Sequence, residues 1–266
     1  MGQWRNWRQP LVSVRIYVEG GGDSEPTRDT CRRGFEMFFR TYLASKGYAS
    51  MQPVVVACGT RGRTYSRFLH ALKHHPNEFI LLLVDSEGTV GASETVWEYL
   101  KKRDGWERPT AVTDHQAHLM VQCMETWLLH NKQKIADFYK RNFHPNALPV
   151  RKDVEELSCA EVVSALRYAS KDTVSGEYHK IKHGPKILAS LDPTKVAAAS
   201  PYCQRLLDLL LQLCNEAAQL AAPAARIDYP PHRRTTRRMG FARFARHGSS
   251  PAHSPGCGRW RYNTGG

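Results

Sequence analysis

An α/β fold built on a mostly parallel sheet is what this sequence predicts, and three observations predict it. Strand and helix signals alternate through the first half of the chain in the order βαβαβαβα, a pattern that favours parallel strands joined by crossovers. The apolar run at residues 79–84 has no polar alternation, as expected of a strand buried on both faces. Two strand-like runs, at 12–18 and 81–84, end in acidic residues beside glycine: Glu19 with Gly20, and Asp85 with Glu87 and Gly88. Parallel strands bring such ends to one edge of the sheet, where open α/β sheets bind their ligands.

The elements follow in order. Residues 12–18 are rich in β-branched side chains and read as the first strand; residues 25–46 carry Phe35, Phe38, Phe39, Tyr42 and Leu43 at helical spacing. Residues 54–58 form a second strand, with Arg61 and Arg63 in the loop behind it and a helix over 63–74. After the strand at 79–84 come a helix at 93–102, a weaker strand at 118–124 and a helix at 125–141. Strand signals then cease. Residues 159–170, 185–191 and 201–220 read as helices, with Ser158 and Ser200 as caps and Pro201 at a first helical position. This divides the chain into an α/β domain at 1–142, a helical extension packed on it at 143–229, and a tail at 230–266.

That tail holds eight arginines and no Asp, Glu or Lys, so much of the formal net charge of +13 resides there and the body is only mildly basic. A segment of Arg, Gly, Pro, Ser and His buries too little apolar surface to offset its ordering entropy, and disorder is expected. It reads either as a nucleic-acid-binding arm or as a non-essential segment. A mildly basic body suits a partner that is a polyanion. No apolar stretch approaches the roughly 20 residues that cross a bilayer, and residues 1–10 lack an apolar signal core. A cytoplasmic protein without a membrane partner is expected. The seven cysteines never fall in C-x-x-C spacing and read as reduced packing residues.

Glycines 20–22 are followed by Asp23, Ser24 and Glu25, which does not fit a dinucleotide loop. Acidic groups at such a turn would repel phosphate unless a cation intervened. Magnesium takes oxygen ligands and keeps several waters, so two or three carboxylates at a strand edge suffice, and one or two such ions can orient a phosphodiester and activate water. Asp85 and Glu87 are two residues apart and can address one ion, with Glu19 completing the shell or moving a proton. Manganese is an acceptable substitute. His179 and His183 share helical spacing, but without a third ligand they make a poor zinc pair.

Taken together, V-R-I-Y-V-E-G-G-G-D and L-L-L-V-D-S-E-G resemble the TOPRIM signature of topoisomerases, primases and OLD-type nucleases, a Glu-Gly after the first strand and an Asp-x-Asp after a later one. Glu87 stands in the second acidic position of that pair. With C-G-T-R-G-R-T, M-E-T-W-L-L and G-E-Y-H-K, the chain is similar over residues 12–210 to domain-of-unknown-function family 4276, small bacterial TOPRIM-like proteins. The resemblance implies a TOPRIM-like sheet with helices on both faces and a C-terminal helical extension. It also implies a magnesium-dependent nuclease or related phosphoryl-transfer effector of an anti-phage system, acting on DNA or RNA beside an AAA or ABC-type ATPase encoded nearby. By the same resemblance Glu19, Asp85 and Glu87 are metal ligands and catalytic carboxylates, Glu125 is a further ligand, and Lys180 stabilises developing phosphate charge. Arg61, Arg63, Lys182 and Lys186 are the expected nucleic-acid contacts. Blander readings stand beside these: a first-turn helix glutamate at 125, solvated lysines at 180–186, and a catalytically silent module that binds nucleic acid or scaffolds the ATPase.

Overall fold

Four strands, β1 (Ser13–Val18), β2 (Val54–Ala57), β3 (Glu78–Asp85) and β4 (Ala117–Met120), form one sheet in the order β2-β1-β3-β4 with every pairing parallel. The structure, a computed structural model, describes residues 13–150 and 153–221. In register, Val18 lies beside Ala57 and Leu83, and Asp85 beside Met120, so the carboxyl ends of the central strands finish side by side. Side chains alternate across each strand. Ile16, Val18, Leu81 and Leu83 enter one core and Tyr17, Ile80, Leu82 and Val84 the other, which is why β3 is apolar from Phe79 to Val84.

One face is covered by α2 (Arg61–His74) and α3 (Val96–Asp104), through Phe68, Ala71, Trp97 and Leu100. A capping box between Thr95 and Glu98 opens α3, and Gly105, left-handed at φ 71°, closes it, the usual chemistry of both ends. On the opposite face lies α1 (Glu25–Ser45), capped by Ser24 and carrying Phe35, Phe38 and Phe39 inward. Phe38 stacks on Trp127 at 5.5 Å between ring centroids.

Trp127 belongs to α4 (Met124–Leu129), which is followed by α5 (Lys132–Tyr139), α6 (Cys159–Ser170), α7 (Gly184–Leu188), α8 (Pro193–Ala199) and α9 (Pro201–Ala221). These helices share the α1 core: Ile135, Leu166, Ile187, Val196, Leu206 and Leu210 are all buried with Phe35 and Trp127. The leucine-rich α9 therefore spends its apolar face on the protein's own interior.

Several expectations change: the strand expected over 118–124 ends at Met120, and the helix expected over 93–102 runs from Val96 to Asp104. The helix expected over 125–141 is two helices, because the amides of His130 and Asn131 turn back to the carbonyls of Trp127 and Leu128 at i−3 and close the first one. The expected helix at 185–191 is shorter, and α8 follows it from a cap at Asp192, whose side chain accepts from the Thr194 amide at 3.0 Å. Arg61 and Arg63 lie in the first turn of α2, not in a loop, since Thr60 already accepts from the Thr64 amide at 2.9 Å. Among the described residues no helix is long and apolar enough to cross a membrane. The Arg-rich segment 230–266, for which disorder was expected, lies outside the described residues.

Candidate functional site

Just beyond β1 the Glu19 amide donates to the Leu83 carbonyl at 3.0 Å, and Gly20 and Gly59 then exchange two backbone hydrogen bonds of 2.9 Å. This clamps the turn after β1 to the turn after β2. Glycine is required here: Gly59 has φ 83°, and a Cβ on it would stand 2.6 Å from the Gly22 carbonyl oxygen. Asp85 is the last residue of β3, and beyond it the Ser86 and Glu87 amides bond to the carbonyls of Met120 and Gln122. The acidic groups are thus held by backbone pairing rather than by loose loops.

Glu19, Asp85, Glu87 and Lys180 line one cleft of about 240 Å³, together with Gly20–22, Cys31, Gly59 and Met124. The Asp85 carboxylate is buried; its Oδ1 accepts from the Met124 amide at 2.9 Å and its Oδ2 lies 3.3 Å from Lys180 Nζ. Glu19 Oε2 accepts from the Asp85 amide at 3.3 Å and from Arg61 Nη1 at 3.2 Å. Arg61 is fixed in turn by a two-pronged bond to Asp104, at 2.9 and 2.7 Å, and by the face of Trp106 5.0 Å away. Its Nη1 also donates to the Asp85 carbonyl. Glu87, half exposed and at φ 56°, pairs with Arg103.

Burial dominates the electrostatics. It pushes the Asp85 carboxyl up, to about 7, against the pull of Lys180, and neighbouring Glu125 and Glu19 push the same way. Glu19 is also raised by burial, with Arg61 opposing and Glu87 adding to the rise. For Lys180, burial acts downward but the carboxylates of Asp85 and Glu125 outweigh it, so its ammonium is held well above the ordinary lysine value. Burial pushes the Cys31 thiol up to about 12, which makes it a neutral wall of the cleft and no nucleophile.

The sequence-predicted residues divide into three groups. Glu19, Asp85, Glu87 and Lys180 are brought together, and Arg61 reaches them. Arg63 stands at the edge, half exposed and 3.8 Å from Asp23, while Lys182 and Lys186 are exposed on the segment that leads from Lys180 into α7. Glu125 is fully buried in the first turn of α4 and is absent from the cleft lining; its oxygens face Tyr178 and Lys180. The expected three-carboxylate shell is not assembled. Among the described residues no three His, Cys, Asp or Glu side chains are placed to hold one metal ion: Glu19 is turned to Arg61, Glu87 to Arg103, and Asp85 and Glu125 share Lys180. Sequence reasoning missed Arg103, Asp104 and Trp106, which carry no motif and arrive through the α3 crossover. It also missed Tyr178, which lies inside G-E-Y-H-K two residues before the lysine that was singled out.

A family model described as "Domain of unknown function (DUF4276)" matches residues 18–211. No curated protein and no solved structure matches the chain.

Proposed function

The chain belongs to the DUF4276 family, and from that premise we propose that it is a magnesium-dependent nuclease of TOPRIM type, an anti-phage effector that works with an AAA or ABC-type ATPase. One observation carries the reading: Glu19 and Asp85, delivered by adjacent parallel strands, face the same cleft as the Lys180 ammonium. Their hard oxygen donors suit magnesium, which needs few protein ligands, and manganese suits the same set. Glu87 joins that set only by leaving Arg103. A magnesium ion held by Glu19 and Asp85 would supply the charge that activates water and polarises a phosphodiester.

The chain's own residues do the rest. Arg61 orients Glu19 and offsets part of its charge, while the Met124 amide fixes one Asp85 oxygen and leaves the other toward the cleft. Lys180 meets the phosphoryl oxygens and balances charge that develops on them. Arg63, Lys182 and Lys186 track the polyanion backbone, a contact that reads charge and not sequence. A second reading, a silent module that binds nucleic acid or scaffolds the ATPase, draws support from the lack, among the described residues, of three side chains placed to hold one ion.

The test is cleavage of DNA, messenger RNA and transfer RNA with magnesium or manganese, with and without the ATPase, for wild type and Asp85→Ala. Asp85→Ala is expected to abolish cleavage and cation binding by titration calorimetry while keeping the fold. Cation binding as tight as wild type in that variant removes Asp85 from the ligand set. A wild type that binds nucleic acid and cleaves none of it under every condition leaves the silent module.

A further inference from the structure

Glu125 has no exposed surface, and a buried carboxylate is costly unless it is both paired and hydrogen-bonded. Its two oxygens have different partners. Oε1 accepts from the Tyr178 hydroxyl at 2.9 Å, while Oε2 stands 3.4 Å from Lys180 Nζ and takes no hydrogen bond. The same ammonium lies 3.3 Å from Asp85 Oδ2, and about half of the Lys180 side chain is open to the cleft. Lys180 is therefore shared between one carboxylate that lines the cleft and one that stands behind it.

We infer that Glu125 and Tyr178 are positioning residues: Tyr178 fixes Glu125, and Glu125 holds the Lys180 ammonium at the cleft where a phosphoryl group is met. This rests on the nuclease reading and goes beyond it by giving Glu125 a task other than metal binding. Tyr178 is itself buried, and its amide donates to Ser170 Oγ at 2.7 Å, which donates to the Leu166 carbonyl at 2.7 Å. The tyrosine is thus anchored on the end of α6. Room for its hydroxyl comes from Gly184, where a Cβ would lie 2.8 Å from Tyr178 Oη and 2.9 Å from Met124 Cε.

Sharing matters because lysine is a point charge on a flexible four-carbon stem. Held only by Asp85, the ammonium would neutralise the very carboxylate proposed to take a cation. Drawn partly back by Glu125, it stays beside the metal donor without closing it. Glu125 can do this only while one oxygen is fixed, which is the work of the tyrosine hydroxyl.

Tyr178→Phe removes one hydroxyl and keeps the ring. With the nucleic acid that wild type cleaves, kcat is expected to fall about 10- to 100-fold, the scale of a misplaced catalytic group, with KM and magnesium affinity by calorimetry unchanged. Gly184→Ala, which keeps the tyrosine but crowds its hydroxyl at 2.8 Å, is expected to lower kcat in the same way and covers the case of a Tyr178 variant that fails to fold. Crystal structures of wild type and Tyr178→Phe are expected to differ in the Lys180 ammonium, shared by both carboxylates in the first and shifted in the second. Wild-type kcat in either variant overturns the inference, as does an equal loss of magnesium affinity, which would move the effect to the metal donors. If wild type cleaves nothing, the nuclease reading fails on its own, and an unmoved Lys180 in the variant crystal structure still overturns the positioning role.

Discussion

Asp85 concentrates the chemistry of the site, and its burial fixes the sign of a pH effect. Its carboxyl is raised from 3.8 to about 7 in the folded chain, chiefly by desolvation, so the native state binds a proton that the unfolded state has already released. Stability from this group is fully present below pH 3.8 and is lost as pH rises through about 7. Asp85→Asn cannot titrate. Relative to wild type it is expected to gain on the order of 2 to 4 kcal/mol between pH 4 and pH 7, from the linkage of roughly 1.4 kcal/mol per unit. Thermal melting of both proteins across that range measures it, and parallel melting curves at every pH would show that Asp85 is ionised throughout. Cation binding has the opposite trend, because a metal needs the carboxylate: affinity should rise as pH rises through about 7.

At the scale of elements, the site depends on the clamp between the turns that follow β1 and β2. Gly20 and Gly59 exchange backbone hydrogen bonds there, with Gly22 packed against Gly59. Gly59→Ala would meet a backbone oxygen at 2.6 Å in a left-handed conformation at φ 83°, and neither a rotamer change nor a flexible neighbour can relieve it. A loss of about 2 kcal/mol or more is expected, with weaker magnesium binding as the Glu19 turn separates from its neighbour. Calorimetry and melting test both parts. A melting temperature equal to wild type would mean that the two turns are not joined as described.

For the whole molecule, the arresting feature is that the helices after residue 142 complete the core of the sheet. Phe35, Phe38 and Trp127 are buried together with Ile187, Leu206 and Leu210, so a fragment ending at residue 142 would expose the side of α1 that packs on α7, α8 and α9. Fully burying a large apolar side chain is worth about 1.5 to 3 kcal/mol, and several are at stake against a total stability of only about 5 to 15 kcal/mol. The fragment is expected to lack a cooperative melting transition and sharp amide resonances. A well-dispersed spectrum with a two-state melt would establish residues 1–142 as a domain in their own right.

The sequence by itself determined the α/β class, the strand order along the chain, the inward face of α1, and the pairing of Glu19 with Asp85 at one sheet edge, whereas the face that α9 buries was decided by packing. Each of these is a local property, a period of apolar residues or an acidic residue at a strand end, and β3 states its double burial in the unbroken apolar run from Phe79 to Val84. The break of the 125–141 helix, the place of Arg61 inside α2, and the partners of every carboxylate came only with the tertiary structure. Arg103 meets Glu87 because a crossover returns α3 to the strand ends, and Lys180 meets Asp85 from 95 residues away. Which cation neutralises which carboxylate is decided by where packing sets the backbones, and a side chain's charge in the sequence carries no record of that distance.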